Sequence, residues 1–279
     1  MQFQSKFNLL STGLLCLTLL LTGLLLGCQK KEAEPQQIRV GIVAGPETQL
    51  LKIVKKVAKE KYGLNVIIVE FKDYNIPNVA LNDHSIDANA FQHKPYLDET
   101  VLKSSFDLTT LGKTFIYPMG AYSKKYKTIQ ELPENAIVAI PNDPSNQARA
   151  LLLLEKAGLI TLEKNTNGLP HPMDILQNPK KIVLKPVDAA LLVSELLNVD
   201  LAIINTNFAL SANLLPHRDG LVIEGSDSLY TNIIAIRSED KNNPNLQKLK
   251  EAFQSPEVMA EAEKLFQGQA IPAWTAPAK

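Results

Sequence analysis

From Ile38 onward, short β-branched runs alternate with amphipathic helical stretches, and this alternation restricts the fold more than any other feature. "IRVGIVAG" reads as a strand stopped by Gly45-Pro46. "TQLLKIVKKVAKEKYG" follows, with Leu50, Leu51, Val54, Val57 and Ala58 on one face, lysines on the other and Gly63 closing it, which is helical spacing. "LNVIIVEF", "IDANAF", "TFIYPMGAYS", "AIVAIPND", "KIVLKP", "LAIIN", "LVIEG" and "NIIAIRS" are further strand candidates. Helical stretches are expected from Ser145 to Ala157, from Asp188 to Leu197, and twice between Asn245 and Phe266. Strands alternating with helices predict an α/β fold with mainly parallel sheets. "TFIYPMGAYS" and "SLYTNIIAIRS" are long extended segments with polar or Pro punctuation, suited to cross between two lobes. Such a pair of crossings predicts a cleft, where small ligands bind.

The N-terminus is a separate matter. "NLLSTGLLCLTLLLTGLLLG" is an apolar run ending at Cys28, followed at once by the polar "QKKEAEPQQ". Leu25, Leu26, Gly27 and Cys28 resemble a bacterial lipobox, in which cleavage before the cysteine leaves it to be acylated. Gly-Cys sits at the junction where cleavage is needed, which favours the lipoprotein over an uncleaved anchor helix; either one puts most of the chain outside the cytoplasm. Cys16 and Cys28 are the only cysteines. A mature chain lipidated at Cys28 would hold no thiol and form no disulfide, so its core must stabilise it.

Lys and Arg number 29, as do Asp and Glu. That balance argues against nucleic acid, which needs a concentrated basic surface. Enzyme signatures are missing: no GxSxG elbow, no GxGxxG after a strand, no P-loop and no HExxH. The spacing of His84, His93, His171 and His217 suits no metal site, and no cofactor is expected.

"IPNDPSNQARALLLLEKAG" carries more chemistry. Asp143 fits an N-cap and Pro144 the first helical position. Free backbone N–H groups and the helix dipole make that end attractive to a carboxylate. Arg149 lies within two turns and can grip an anion through two hydrogen bonds. A solvated surface arginine is the alternative, and the residues alone leave both open. "DANAFQHKPYL" likewise allows two readings: a cleft wall, or core and turn roles for Phe91, Asp87, Asn89 and His93.

Taken in order, the lipobox, "RVGIVAGPE", "KYGLNVIIVEFKDYNIPNVAL", "IDANAFQHKPYLD", "YPMGAYSKK", "VAIPNDPSNQARALLLLEKAGLI", "LAIIN" and "YTNIIAIR" closely resemble the MetQ/NlpA family of methionine-binding lipoproteins. The similarity covers nearly all of the mature chain up to Trp274. It implies a two-lobed periplasmic-binding-protein fold with an amino acid in the cleft, delivered to an ABC importer made of a permease and an ATPase. The implied layout is a signal peptide at 1–27, lipidated Cys28 and a tether at 28–37, lobe 1 at 38–118 plus 232–279, and lobe 2 at 119–231. Carried onto matching positions, Arg149 would hold the ligand carboxylate. Asn205 and Asn232 would anchor its amino and carboxylate groups, while Tyr74, Phe91 and His93 would wall the thioether. Implied partners are methionine, the permease with its ATPase, and the bilayer through Cys28. Gln29, where many Gram-negative inner-membrane lipoproteins carry Asp, leaves inner and outer membrane both open. A methionine-containing dipeptide as ligand, or a surface-displayed interaction role, are the alternatives.

Overall fold

The computed structural model describes residues 36–164 and 168–274. The expected signal peptide, Cys28 and most of the tether lie outside the described residues. The chain opens with β1 (Gln37–Val43), α1 (Pro46–Tyr62), β2 (Asn65–Phe71), α2 (Pro77–Asn82), β3 (Ala88–Asn89), α3 (Lys94–Ser104) and β4 (Leu108–Ile116). It continues through β5 (Gly120–Tyr122), β6 (Ile137–Pro141), α4 (Pro144–Lys156), β7 (Thr161–Leu162), β8 (Ile175–Gln177), β9 (Val183–Val187), α5 (Leu192–Glu195), β10 (Leu201–Ile204), α6 (Thr206–Ser211), α7 (Pro216–Asp219) and β11 (Val222–Ile223). It ends with β12 (Thr231–Arg237), α8 (Pro244–Phe253), α9 (Pro256–Leu265) and β13 (Ile271–Pro272).

These strands build two principal sheets, one in each lobe. The first has the order β13-β4-β12-β3-β1-β2, the second β11-β5-β10-β6-β9. Parallel pairing joins β1 to β2 and β3, and β6 to β9 and β10. Connections between parallel neighbours must cross over the sheet, which is the work of the helices between them. The antiparallel pairs have another origin. β4 carries the chain out of the first sheet and β12 brings it back, so the two run in opposite directions side by side. On the far side β5 receives the chain and β11 is the last strand before its return, and these also pair antiparallel. Both sheets are therefore mixed, parallel where helices intervene and antiparallel at the crossings.

Local choices agree with this plan. The predicted apolar face of α1 (Leu50, Leu51, Val54, Val57, Ala58) is fully buried, and each large side chain so buried contributes about 1.5–3 kcal/mol. Gly63 ends the helix in the left-handed region at φ 66°, which a Cβ would disfavour. Its N–H bonds to the Lys59 carbonyl at 3.1 Å, and that of Leu64 to Ala58 at 3.0 Å. The stretch expected to be helical from Asp188 to Leu197 is shorter: a 3₁₀ turn over Ala189–Leu191, capped by Asp188, precedes the single turn of α5.

Each lobe has its own core. The first packs Val40, Leu51, Val66, Phe115, Ile234, Leu249 and Phe266 together, and the second packs Val138, Leu151, Leu154, Leu201 and Ile203. A further cluster joins Val43 and Phe91 to Ala139, Ala202, Ile204 and Phe208, so apolar contact continues from one sheet to the other. Phe115 is fully buried and meets Trp274 edge-on, with ring centroids 4.9 Å apart. Phe115→Ala is expected to lower unfolding free energy by about 3–5 kcal/mol in urea titrations; a loss below about 1 kcal/mol would place Phe115 outside the cooperative core.

Candidate ligand-binding site

In open α/β sheets, ligands bind beyond the carboxyl ends of the strands, and one cavity here lies there. Glu47 follows β1, and Tyr74 follows β2. Phe91, Gln92 and His93 follow β3, Asn146 and Arg149 follow β6, and Asn205, Thr206 and Asn207 follow β10. Tyr96 from α3, Tyr117 from the outgoing crossover and Asn232 at the start of β12 complete the lining. All six residues expected at a site, Tyr74, Phe91, His93, Arg149, Asn205 and Asn232, thus meet around one cavity.

The "DANAFQHKPYL" stretch divides its labour. Asp87 faces away from the cavity and accepts hydrogen bonds from the Arg39 backbone N–H (2.7 Å), Nε (3.3 Å) and Nη2 (3.1 Å), which pins the loop to β1. Asn89 and Gln92 belong to a buried amide cluster with Asn78. Gln92 Nε2 donates to Asn78 Oδ1 at 2.6 Å and to Asn89 Oδ1 at 2.8 Å. Buried amides need such partners, so these two shape the backbone. Phe91 and His93 face the cavity, and Gln92 lines it while bonded into the cluster.

His93 caps α3. Its Nδ1 accepts from the Tyr96 N–H at 3.1 Å, so the proton sits on Nε2, which donates to Asn146 Oδ1 at 3.0 Å. Burial, and then the charge of Arg149, push the imidazole down to about 3. Asn146 is itself fixed by the N-cap: its Nδ2 donates to both Asp143 oxygens at 3.0 Å. Its Oδ1 also accepts from Asn205 Nδ2 at 2.7 Å. That leaves Asn205 Oδ1 buried and without a hydrogen-bond partner among the described residues. A carbonyl in that state is an acceptor awaiting a donor. Asn232 is placed by backbone pairing with His93.

Arg149 differs in detail from the expected free anion grip. Its Nε donates to Glu224 at 3.0 and 3.1 Å, and its Nη2 bonds to Glu224 and, at 2.8 Å, to the Tyr117 carbonyl. The paired edge of the guanidinium is thereby taken by a protein carboxylate, and Nη1 has no protein partner among the described residues. The group also lies over the Tyr230 ring, 4.9 Å from its centroid, a favourable cation–π position.

Aromatic rings make the rest of the wall. Tyr74 stands 5.7 Å from Phe91, 6.0 Å from Tyr96 and 5.1 Å from Phe208. Its hydroxyl donates to Asn207 Oδ1 at 2.6 Å, and burial raises it far above the usual phenol range, so it stays a donor. Among the described residues, no group of three His, Cys, Asp or Glu side chains is arranged to hold a metal, and no helix is long and apolar enough to cross a membrane.

Sequence reasoning missed Glu47, Asn146, Thr206, Asn207 and the Arg149 partner Glu224. All but Glu224 sit at or near the start of the helix that follows a parallel strand, so the strand-end rule was the available signal. Glu224, 75 positions from Arg149, had none.

Comparison with known proteins places this architecture. The model of the NlpA lipoprotein family matches residues 38–274. A probable D-methionine-binding lipoprotein MetQ of Vibrio cholerae serotype O1 is 45% identical over 253 residues, covering 91% of this chain and 94% of its own. An ABC transporter periplasmic substrate-binding protein of Coxiella burnetii, 52% identical, superposes with a TM-score of 0.83 over 85% of this chain and all of its own. A nutrient-binding protein from Burkholderia cenocepacia, solved bound to methionine, is 47% identical with a TM-score of 0.83 over 85% of this chain and 99% of its own. The chain belongs to the NlpA lipoprotein family.

Proposed function

We propose that this is a lipid-anchored solute-binding protein, not an enzyme, that captures methionine outside the cytoplasm. It then passes methionine to an ABC permease driven by its ATPase. The observation that carries this reading is the cavity itself, where the unpartnered Nη1 of a guanidinium, an orphaned amide carbonyl and an aromatic wall meet. Those are the needs of a zwitterion with a thioether side chain. A relative bound to methionine supports the same ligand.

In this reading Arg149 Nη1 takes the ligand carboxylate, as a charge-assisted bond worth more than a neutral one. Asn205 Oδ1 accepts from the ammonium group, and the Asn232 amide holds the backbone end of the ligand. Tyr74, Phe91 and His93 wall the side chain, each sulfur–aromatic contact contributing about 0.3–1.5 kcal/mol. Residues 38–118 with 232–279 would move as one lobe and 119–231 as the other, hinged near 117–121 and 230–233. Acylated Cys28 would anchor the chain, with 29–37 as tether.

The first test is calorimetry on soluble protein beginning at Gln29, unfolded and refolded to remove carried ligand. Submicromolar L-methionine binding is expected. Absence of heat from a refolded sample, with heat from a methionine-containing dipeptide, would replace the ligand. Arg149→Ala is expected to cost about 2–5 kcal/mol of affinity, at least roughly thirtyfold; unchanged affinity would remove Arg149 from the site.

The wall also requires a neutral His93. Its folded value of about 3 lies below the ordinary 6.5, so its contribution to stability is present above 6.5 and is lost as pH falls toward 3. NMR is expected to show the His93 ring unchanged between pH 5 and 8, and a midpoint near 6.5 would contradict the buried geometry.

A further inference from the structure

Glu47 has no part in the roles assigned so far. It lies in the first turn of α1, lines the cavity and is 8% exposed. Its Oε2 is buried with no hydrogen-bond partner among the described residues. A carboxylate in such a place is costly unless a cation joins it. Burial pushes its carboxyl up to about 7, opposed only by its own backbone N–H.

Its surroundings supply no counter-charge. Tyr74, after β2, and Tyr117, on the outgoing crossover, are phenols that burial keeps protonated. From α6, the Ser211 hydroxyl and the Asn207 carbonyl approach the Gly45 turn beside Glu47, and both are neutral. α8 and α9 meet the other end of α1, where Glu251 acts on Tyr62 and Glu257 pairs with Lys61, about four turns away. Elsewhere on the cavity His93 is neutral, and the charge of Arg149 is already matched by Glu224. The cavity thus holds two acceptors without donors, Glu47 Oε2 and Asn205 Oδ1, and no free anion to balance an entering ammonium.

We infer that Glu47 is the ionised partner of the ligand's ammonium group, so that capture of methionine expels one proton from the cleft. This rests on the methionine reading above. The ligand enters as a zwitterion, the Glu47 carboxyl gives its proton to solvent, and the carboxylate then pairs with the ammonium. No other bond changes. The residue would separate amino acids from their deaminated analogues, which bring a carboxylate for Arg149 but no cation.

The test is calorimetry of L-methionine binding to the detergent-solubilised full-length lipoprotein, in buffers of different ionisation heat. At pH 6 release of most of one proton per methionine is expected, falling toward zero well above pH 7. Affinity should fall about tenfold per unit as pH drops below about 7. Glu47→Gln should abolish the release, flatten that profile and weaken binding at pH 8 by tenfold or more. The proton count on the unmodified protein stands even where the variant folds poorly. The deaminated analogue 4-methylthiobutyrate should bind without proton release. Methionine bound with no proton exchange at pH 6, or the same release from Glu47→Gln, overturns the inference alone. Methionine that binds at no pH overturns it together with the reading on which it rests.

Discussion

The ion pair between Arg149 and Glu224 is the contact on which the rest of the molecule turns. Its guanidinium bonds to the Tyr117 carbonyl on the outgoing crossover and to Glu224 on the approach to the returning one. Glu224 in turn accepts from the Met119 N–H at 3.1 Å and from the Ser228 hydroxyl at 2.8 Å. Both connections between the sheets are thus fastened to one side chain on α4. Burying such a pair brings little net stability, but removing either partner strands a charge in the interior and costs about 3–5 kcal/mol. The pair is better understood as a means of fixing geometry than as a source of stability.

That arrangement gives the cavity its electrical character. The Arg149 charge is neutralised by a protein carboxylate, His93 is held neutral, and the phenols of Tyr74 and Tyr117 keep their protons. What remains are directed hydrogen-bonding groups on polarisable rings. On the proposed reading, such a lining favours a molecule that carries both charges and no net charge. The aromatic rings meet edge-on or tilted, as Phe91 and Tyr96 do at 77°, and so offer ring faces and edges to a thioether.

Much of this was legible before any coordinates. Helical periodicity located the buried face of α1, Gly63 marked its end, and "NDPSN" fixed the cap from which Asn146 and Arg149 project. The chain's two crossings were visible as extended segments broken by polar residues or proline. Other features were not legible, for physical reasons. A single strand reads the same whether its neighbour is parallel or antiparallel, so the mixed sheets followed only from the out-and-back path of β4 and β12. The residues of "DANAFQHKP" left a cleft wall and core or turn roles both open, because Asn89 and Gln92 satisfy Asn78, a partner whose proximity depends on the fold of α2. Glu47 precedes the stretch expected to be helical, and it sits in the first turn of α1, where the dipole favours an acid. Only its burial, 8% exposed without a partner, sets it apart.

The cavity between the sheets is proposed to seat an amino-acid zwitterion, carboxylate on Arg149 and sulfur among the rings. A crystal structure grown with selenomethionine as ligand tests it most directly, because selenium marks its own position by anomalous scattering. One strong peak is expected between Tyr74 and Phe91, with the ligand carboxylate in hydrogen-bond reach of Arg149 Nη1 and the Arg149–Glu224 pair intact. A peak elsewhere on the molecule, or a ligand carboxylate that displaces Glu224 from the guanidinium, would contradict it.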